Sequence, residues 1–284
     1  MMFMGALKEM GCKMFKSISE LIDEENLESQ VQNFRGAKPF DHAVIDNFFD
    51  EELAMRLAEE FPDYSSDIWR EYMNPLEDKK LCNHWDKFPP LTYSVLTALN
   101  SNDFIGLLQS KLGLDDEISS DFGLNGGGWH IHRRGGKLNT HLDYSLHPKT
   151  KMQRKLNLII YLNPNWEAQW GGSLGLWGSD SHEAPGQLEK QIDSCFNRAI
   201  IFDTTMNSWH GLPEPIQCPE DEYRKSLAVY YLCGAPENVS ERGKALFVPT
   251  EDQRGDSDIL ELIKRRSSTR DAESVYSDKT QDKP

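Results

Sequence analysis

The stretch Arg224-Lys225-Ser226-Leu227-Ala228-Val229-Tyr230-Tyr231-Leu232 reads as one β-strand. Successive side chains on a strand point to opposite sides, so Arg224, Ser226, Ala228 and Tyr230 share a face. Four more short runs precede it: Gly128–Arg133, Lys155–Asn163, Ser173–Trp177 and Asn197–Asp203. Gly, Pro and Asn separate them. From Gly123 to Gly234 this spacing is an all-β signature.

Outside that span the pattern changes. His42 to Asp46 is a short extended run, and Asp50 is placed to cap a helix carrying Leu53, Leu57, Ala58 and Phe61. Residues 91–113 repeat apolar positions at helical spacing, as do residues 1–30. Residues 63–90 are rich in aromatics and read as a loop that covers a pocket or as an ordinary surface loop; Tyr72 and Trp85 are its lid candidates. These signals divide the chain into a helical extension over 1–36 and a domain over 37–249. Within the domain, helical support spans 37–122 and a β core spans 123–234. A polar tail follows over 250–284, with one short helical candidate around Ile259–Ile263 and disorder expected from Ser267. The fold class is mainly β with flanking helices.

Bulk properties narrow the function. The net charge of −15 disfavours a nucleic-acid backbone as partner, because phosphates are repelled overall. Basic residues nevertheless cluster near the core motif: Arg133, Arg134, Lys137, Lys149, Lys151, Arg154 and Lys155. They suit an acidic substrate or a solvated loop equally. No apolar run is long enough to span a membrane. The five cysteines are widely spaced, as expected of reduced thiols in a cytoplasmic setting.

Three residues before the last strand carry the chemistry. His141 and Asp143 stand at i and i+2 in Asn139-Thr140-His141-Leu142-Asp143-Tyr144, and so face one side of an extended chain. His210 follows in Asn207-Ser208-Trp209-His210-Gly211. Two histidines and one carboxylate with open positions suit a non-haem Fe(II) that binds further ligands. A lone H-x-D triplet arises by chance, but here the later histidine and Arg224 follow in order. A guanidinium matches a carboxylate with two parallel donors, and Ser226 shares its face.

The segment Tyr161-Leu162-Asn163-Pro164-Asn165-Trp166-Glu167-Ala168-Gln169-Trp170-Gly171-Gly172-Ser173-Leu174 resembles the Y-L-N-x-x-W…G-G-x-L stretch of prolyl-4-hydroxylase-like enzymes, members of the 2-oxoglutarate- and Fe(II)-dependent oxygenases. Phe40 to Phe49 is similar to their entry strand and helix. The resemblance covers roughly residues 38–234. It implies a double-stranded β-helix, a cupin-like jelly roll with the metal at its open end. It implies Fe(II), 2-oxoglutarate and O2, with His141, Asp143 and His210 as iron ligands. Arg224 and Tyr161 match the residues that meet the far carboxylate of 2-oxoglutarate. Asn157 and Ile159 share the Tyr161 face and are expected in the same pocket. His132 stands where many members have a tyrosine, to bond the cosubstrate or to pack.

The implied reaction hydroxylates an unactivated carbon, with succinate and CO2 as coproducts. A prolyl or other peptidyl side chain leads as substrate; a free amino acid or small metabolite is the rival. Three readings of other kinds compete: a catalytically silent binding module, a cupin-type enzyme using His130 and His132, and a nucleic-acid demethylase. The sequence leaves the oligomeric state open. His147 and His182 read as solvent-facing, and Trp209 as cleft wall or core. Gly171-Gly172 marks a bend where a side chain would clash.

Overall fold

A computed structural model describes residues 15, 17–179, 183–237, 239, 242 and 244–267. Its strands, in chain order, are β1 His42–Ile45, β2 Arg70–Asn74, β3 Glu77–Cys82, β4 Ile118–Ser120, β5 Gly128–His132, β6 Lys137–Leu138, β7 His141–Leu142, β8 Gln153–Tyr161, β9 Leu174–Trp177, β10 Leu188–Ile192, β11 Ala199–Asp203, β12 Trp209–Gly211, β13 Arg224–Cys233 and β14 Leu246–Phe247. The helices are α1 Glu24–Val31, α2 Glu51–Glu59, α3 Pro90–Leu99, α4 Asn102–Leu112 and α5 Ser257–Ser267. Two antiparallel sheets result. The larger runs β1-β11-β8-β13-β5-β3-β2, with β4 on β13 and β6 on β3; the smaller runs β10-β9-β12-β7-β14. This is the expected jelly roll.

The larger sheet has two chemically distinct faces because β8 and β13 alternate. Leu156, Leu158 and Ile160 of β8, with Leu227, Val229 and Tyr231 of β13, join one core cluster with Leu96, Leu99, Phe104 and Leu108 of the helices. Each such fully buried side chain contributes about 1.5–3 kcal/mol. The opposite face carries Asn157, Ile159 and Tyr161 of β8 beside Arg224, Ser226 and Ala228 of β13, in register with His130 and His132 of β5. That polar face looks toward the smaller sheet.

Helix ends follow local chemistry. Asp50 caps α2 by accepting from the amides of Glu52 and Leu53. The helix expected over 91–113 is two helices. Asn100 ends the first, and Ser101 caps the second by accepting from the Phe104 amide. Of the helix expected over 1–30, the described part is a 3-10 turn, Ile18–Glu20, followed by α1; positions 1–14 lie outside the described residues.

Two expectations change. The 63–90 loop contains the β2–β3 hairpin, which extends the larger sheet through β5. Trp85 packs on Phe88 and Tyr93 and donates to the Phe122 carbonyl (2.7 Å), away from the cavity. The segment after Thr250, expected as a polar tail with a short helix around Ile259–Ile263, carries that helix within the longer α5, whose Arg266 is buried. Residues 268–284, expected as disordered, lie outside the described residues. Among the described residues no helix is long and apolar enough to cross a membrane.

Candidate metal centre

His141 on β7 and His210 on β12 are direct cross-strand partners. Their rings lie 4.3 Å apart between centroids. Asp143 follows β7 by one residue and turns its carboxylate toward both. Oδ1 is 3.7 Å from His141 Nε2, and Oδ2 is 4.0 Å from His210 Nε2. All three are buried, and their donor atoms lie within 4.8 Å of one another. Among the described residues this is the one such group of metal-type ligands.

The ring orientations fit a metal. His141 Nδ1–H donates to the Asn139 carbonyl (2.9 Å), and His210 Nδ1–H donates to the Ser208 carbonyl (2.8 Å). Each bond fixes the tautomer that leaves a lone pair on Nε2. Phe247 stacks on His141 at 5.0 Å, and Phe202 meets His210 edge-on at 4.8 Å. Burial pushes His141 down to about 3, reinforced by His210 alongside, so the imidazole is neutral at ordinary pH. Burial also lowers His210. Asp143 is pulled the other way. Desolvation would raise it, but Arg154, His210 and His141 together hold it below the usual carboxylate range. Neutral imidazoles and an ionised carboxylate are the forms a divalent ion needs.

Two residues steady Asp143. Arg154 Nη1 is 3.3 Å from Oδ2, and Asn157 Nδ2 donates to the same oxygen at 3.2 Å. Asn157 lines the cavity as expected, and while its Nδ2 holds Asp143 its Oδ1 has no hydrogen-bond partner. Arg154 sits between the rings of Tyr144 and Tyr230, with its Cζ 3.5 and 3.4 Å from their centroids.

Arg224 is buried on the same cavity wall. Its Nε donates to the Gly172 carbonyl (2.7 Å) and to Ser194 Oγ (3.0 Å), and its Cζ lies 4.9 Å from the Tyr161 ring centroid. No carboxylate pairs with it among the described residues. Burial lowers its pKa. A buried guanidinium without an anion is costly unless a ligand supplies one. The Tyr161 hydroxyl, facing Arg224 and Ser194, makes no hydrogen bond of good geometry. Both nitrogens of His132 are likewise without partners, and Ser226 is buried beside them. Gly172 adopts φ +76°, and a Cβ there would stand 2.8 Å from Arg224 Cδ, so the expected clash holds at Gly172, whereas a Cβ at Gly171 would meet nothing within 4 Å.

A cavity of about 470 Å³ joins the metal-type group to Arg224. Its lining includes His141, Asp143 and His210 with Arg224, Ser226 and His132. His130, the other half of the H-x-H pair, bonds the Gly126 carbonyl (3.0 Å). The pair lies in register with Arg224 and Ser226 and apart from the metal-type group, against the cupin-type reading. Trp209 is fully buried core. His147 is buried too, 3.5 Å from Asp121, not solvent-facing as expected; His182 lies outside the described residues. Of the basic cluster, Arg133, Arg134 and Lys155 pair with Asp78, Glu220 and Asp203; only Arg154 and Lys151 reach the cavity. Sequence reasoning missed Glu77, Lys79 and Arg266 in the cavity wall. Arg266 Nη2 meets Glu77 Oε1 at 2.5 Å and stacks over Phe247, the ring that covers His141.

Known proteins agree with this picture. Residues 127–256 match the model of the 2OG-Fe(II) oxygenase superfamily, whose cofactors are Fe(II), 2-oxoglutarate and O2. A mouse (Mus musculus) protein named prolyl 3-hydroxylase OGFOD1 is 24% identical over 200 residues, 68% of this chain and 33% of that protein. The Xenopus laevis protein of that name is 34% identical over 61 residues, 22% of this chain and 12% of the other. The chain thus spans about a third or less of the length of these relatives. A Trichoplax adhaerens prolyl hydroxylase, solved with a hypoxia-inducible-factor peptide, superposes with TM-score 0.52 at 18% identity, covering 74% of this chain and 90% of that one. A Pseudomonas putida prolyl-4-hydroxylase superposes with TM-score 0.51 at 14% identity, covering 74% of this chain and all of that one (100%). At such identities the likeness shows the fold. The match to the 2OG-Fe(II) oxygenase superfamily spans the part of the chain that holds His141, Asp143, His210 and Arg224.

Proposed function

We propose that this protein is a 2-oxoglutarate-dependent dioxygenase that hydroxylates a prolyl side chain within a peptide. One observation carries it: a buried His-Asp-His group with both Nε2 atoms available shares a cavity with a buried arginine that lacks a carboxylate. Under this reading His141, Asp143 and His210 hold Fe(II). Bound there with 2-oxoglutarate, the metal supplies O2 activation, with succinate and CO2 as coproducts.

The chain's own residues do the rest. Arg224 pairs with the far carboxylate of 2-oxoglutarate through its Nη atoms, since Nε is already held by Gly172 and Ser194. The unpartnered Tyr161 hydroxyl adds a donor to the same carboxylate. Ser226 and His132 border that subsite, and Ile159 gives it an apolar wall. Burial keeps water from the reacting carbon. The peptide substrate is supported by the names of the relatives and fold neighbours, which are prolyl hydroxylases.

The test offers proline-containing peptides with Fe(II), 2-oxoglutarate and air. Peptide-dependent succinate release and a one-oxygen mass gain on proline are expected. Succinate release stimulated by free amino acids alone would overturn the peptidyl reading.

A further inference from the structure

The two histidine rings of the metal-type group are oriented alike but held unequally. His210 Nδ1–H donates to the Ser208 carbonyl, and the Oγ of Ser208, though buried, makes no hydrogen bond. His141 Nδ1–H donates to the Asn139 carbonyl (2.9 Å), and Asn139 is itself tied down. Its backbone amide donates to the Leu76 carbonyl (2.8 Å). Its side-chain Nδ2 donates to the Val248 carbonyl (3.2 Å) and to Gln253 Oε1 (2.6 Å).

Gln253 is the hub of this arrangement. It is buried in the 3-10 turn Glu251–Gln253, between β14 and α5. Its Oε1 also accepts from the Thr250 amide (3.1 Å), and its Nε2 donates to the Pro75 carbonyl (2.8 Å). One buried amide thus joins the β2–β3 turn, the link between β6 and β7, and the C-terminal segment. That segment reaches the metal group again through β14, which pairs with β7 and sets Phe247 opposite His141, ring on ring. The Val248 amide donates to the Thr140 carbonyl (3.0 Å). Arg266 of α5 lies over Phe247 and pairs with Glu77. All these supports come from beyond Gly234, where the strand pattern of the sequence ends. A buried donor or acceptor left without its partner is costly, so the Gln253–Asn139 bond forms only while residues 246–267 stay docked.

We propose that Gln253 is a positioning residue of the metal centre: acting through Asn139 it fixes the His141 ring, so that docking of residues 246–267 and metal binding are coupled. This rests on His141, Asp143 and His210 as the metal ligands, as above, and adds the segment that tunes their affinity. The coupling is reciprocal: a segment that tightens metal binding is held more firmly once metal is bound.

Electron paramagnetic resonance of Mn(II) measures the affinity, on the full chain under nitrogen without cosubstrate. Gln253→Met keeps the bulk and removes all three hydrogen bonds; Asn139→Ala keeps the carbonyl and unties it. Each is expected to weaken Mn(II) binding about tenfold or more. The double variant should bind no more weakly than the worse single one, because both break one link. Leu108→Ala, in the core on the far face of the larger sheet, lowers stability without touching that link and should leave the affinity unchanged. Circular dichroism checks that each variant folds. Hydrogen exchange needs no variant: in the wild type Mn(II) should slow exchange over 246–256 more than over α2. Four results overturn the proposal: wild-type affinity in folded Gln253→Met, an equal loss in Leu108→Ala, additive losses in the double variant, or exchange over 246–256 slowed no more than over α2. A wild type that binds no Mn(II), or binds it equally well after His141→Ala, overturns the metal centre itself.

Discussion

The guanidinium of Arg154 stands 3.3 Å from the carboxylate of Asp143, held flat between Tyr144 and Tyr230. It keeps a buried acid ionised and aimed at the two histidines before any metal arrives. Removing one partner of a buried pair costs about 3–5 kcal/mol, because the other charge is left uncompensated. Arg154→Leu is therefore expected to melt at a markedly lower temperature than the wild type without metal. A divalent ion replaces the missing positive charge, so Mn(II) should restore more of the melting temperature in the variant than it adds to the wild type. Thermal scans with and without Mn(II) check this. An equal Mn(II) increment in both proteins would show that Arg154 does not act through Asp143.

Gly172 presses its backbone against Arg224. At φ +76°, with a Cβ 2.8 Å from Arg224 Cδ, alanine there must displace the arginine. Gly172→Ala is expected to raise the KM for 2-oxoglutarate about tenfold or more, equivalent to roughly 1.4 kcal/mol of lost binding. Metal affinity should change little, because His141, Asp143 and His210 are on other segments. Paired titrations with Mn(II) and 2-oxoglutarate separate the two effects.

Burial keeps His130 and His132 neutral, pushing His130 down to about 3 and His132 well below its ordinary value. In the unfolded chain each takes up a proton near pH 6.5. Between that pH and the folded value the unfolded state binds more protons, so stability falls as pH drops through this window. Each group contributes a slope of about 1.4 kcal/mol per pH unit. Urea melts from pH 7 to pH 4 should show this loss, and His132→Gln should make it shallower by about one proton. An unchanged slope would mean that His132 is not held neutral.

Much of this design was legible in the residues. The alternation in Arg224 to Leu232 announces a strand because one face packs on helices and the other lines a polar cavity. The metal-type group was readable because two of its members sit at i and i+2. Other parts leave no local trace. β7, β12 and β14 are two or three residues long, too short for any period. Glu77-Asp78-Lys79-Lys80 has no apolar residue to mark a buried face, yet Glu77 and Lys79 line the cavity. Lys264-Arg265-Arg266 reads as a solvated basic run, while the helix it ends buries one of the three. The hairpin and the burial of Arg266 are set by tertiary contacts, which no window of sequence contains; of the terminal helix only Ile259–Ile263 is legible.

Arg266 and Glu77 form a buried pair that ties α5 to β3. Each single replacement, Arg266→Met or Glu77→Gln, is expected to cost about 3–5 kcal/mol, and the double variant less than the sum. A double-mutant cycle by urea unfolding measures the coupling. Strict additivity would mean that α5 is held by other contacts.

The decisive measurement is anaerobic. Fe(II) and then 2-oxoglutarate are added to the wild type, His141→Ala and Arg224→Ala, and the weak visible charge-transfer band of the chelated metal is followed. A band in the wild type, absent in His141→Ala and requiring far more 2-oxoglutarate in Arg224→Ala, is the predicted result. No band in the wild type, or one indifferent to both substitutions, would contradict the assignment of the metal and cosubstrate to this cavity.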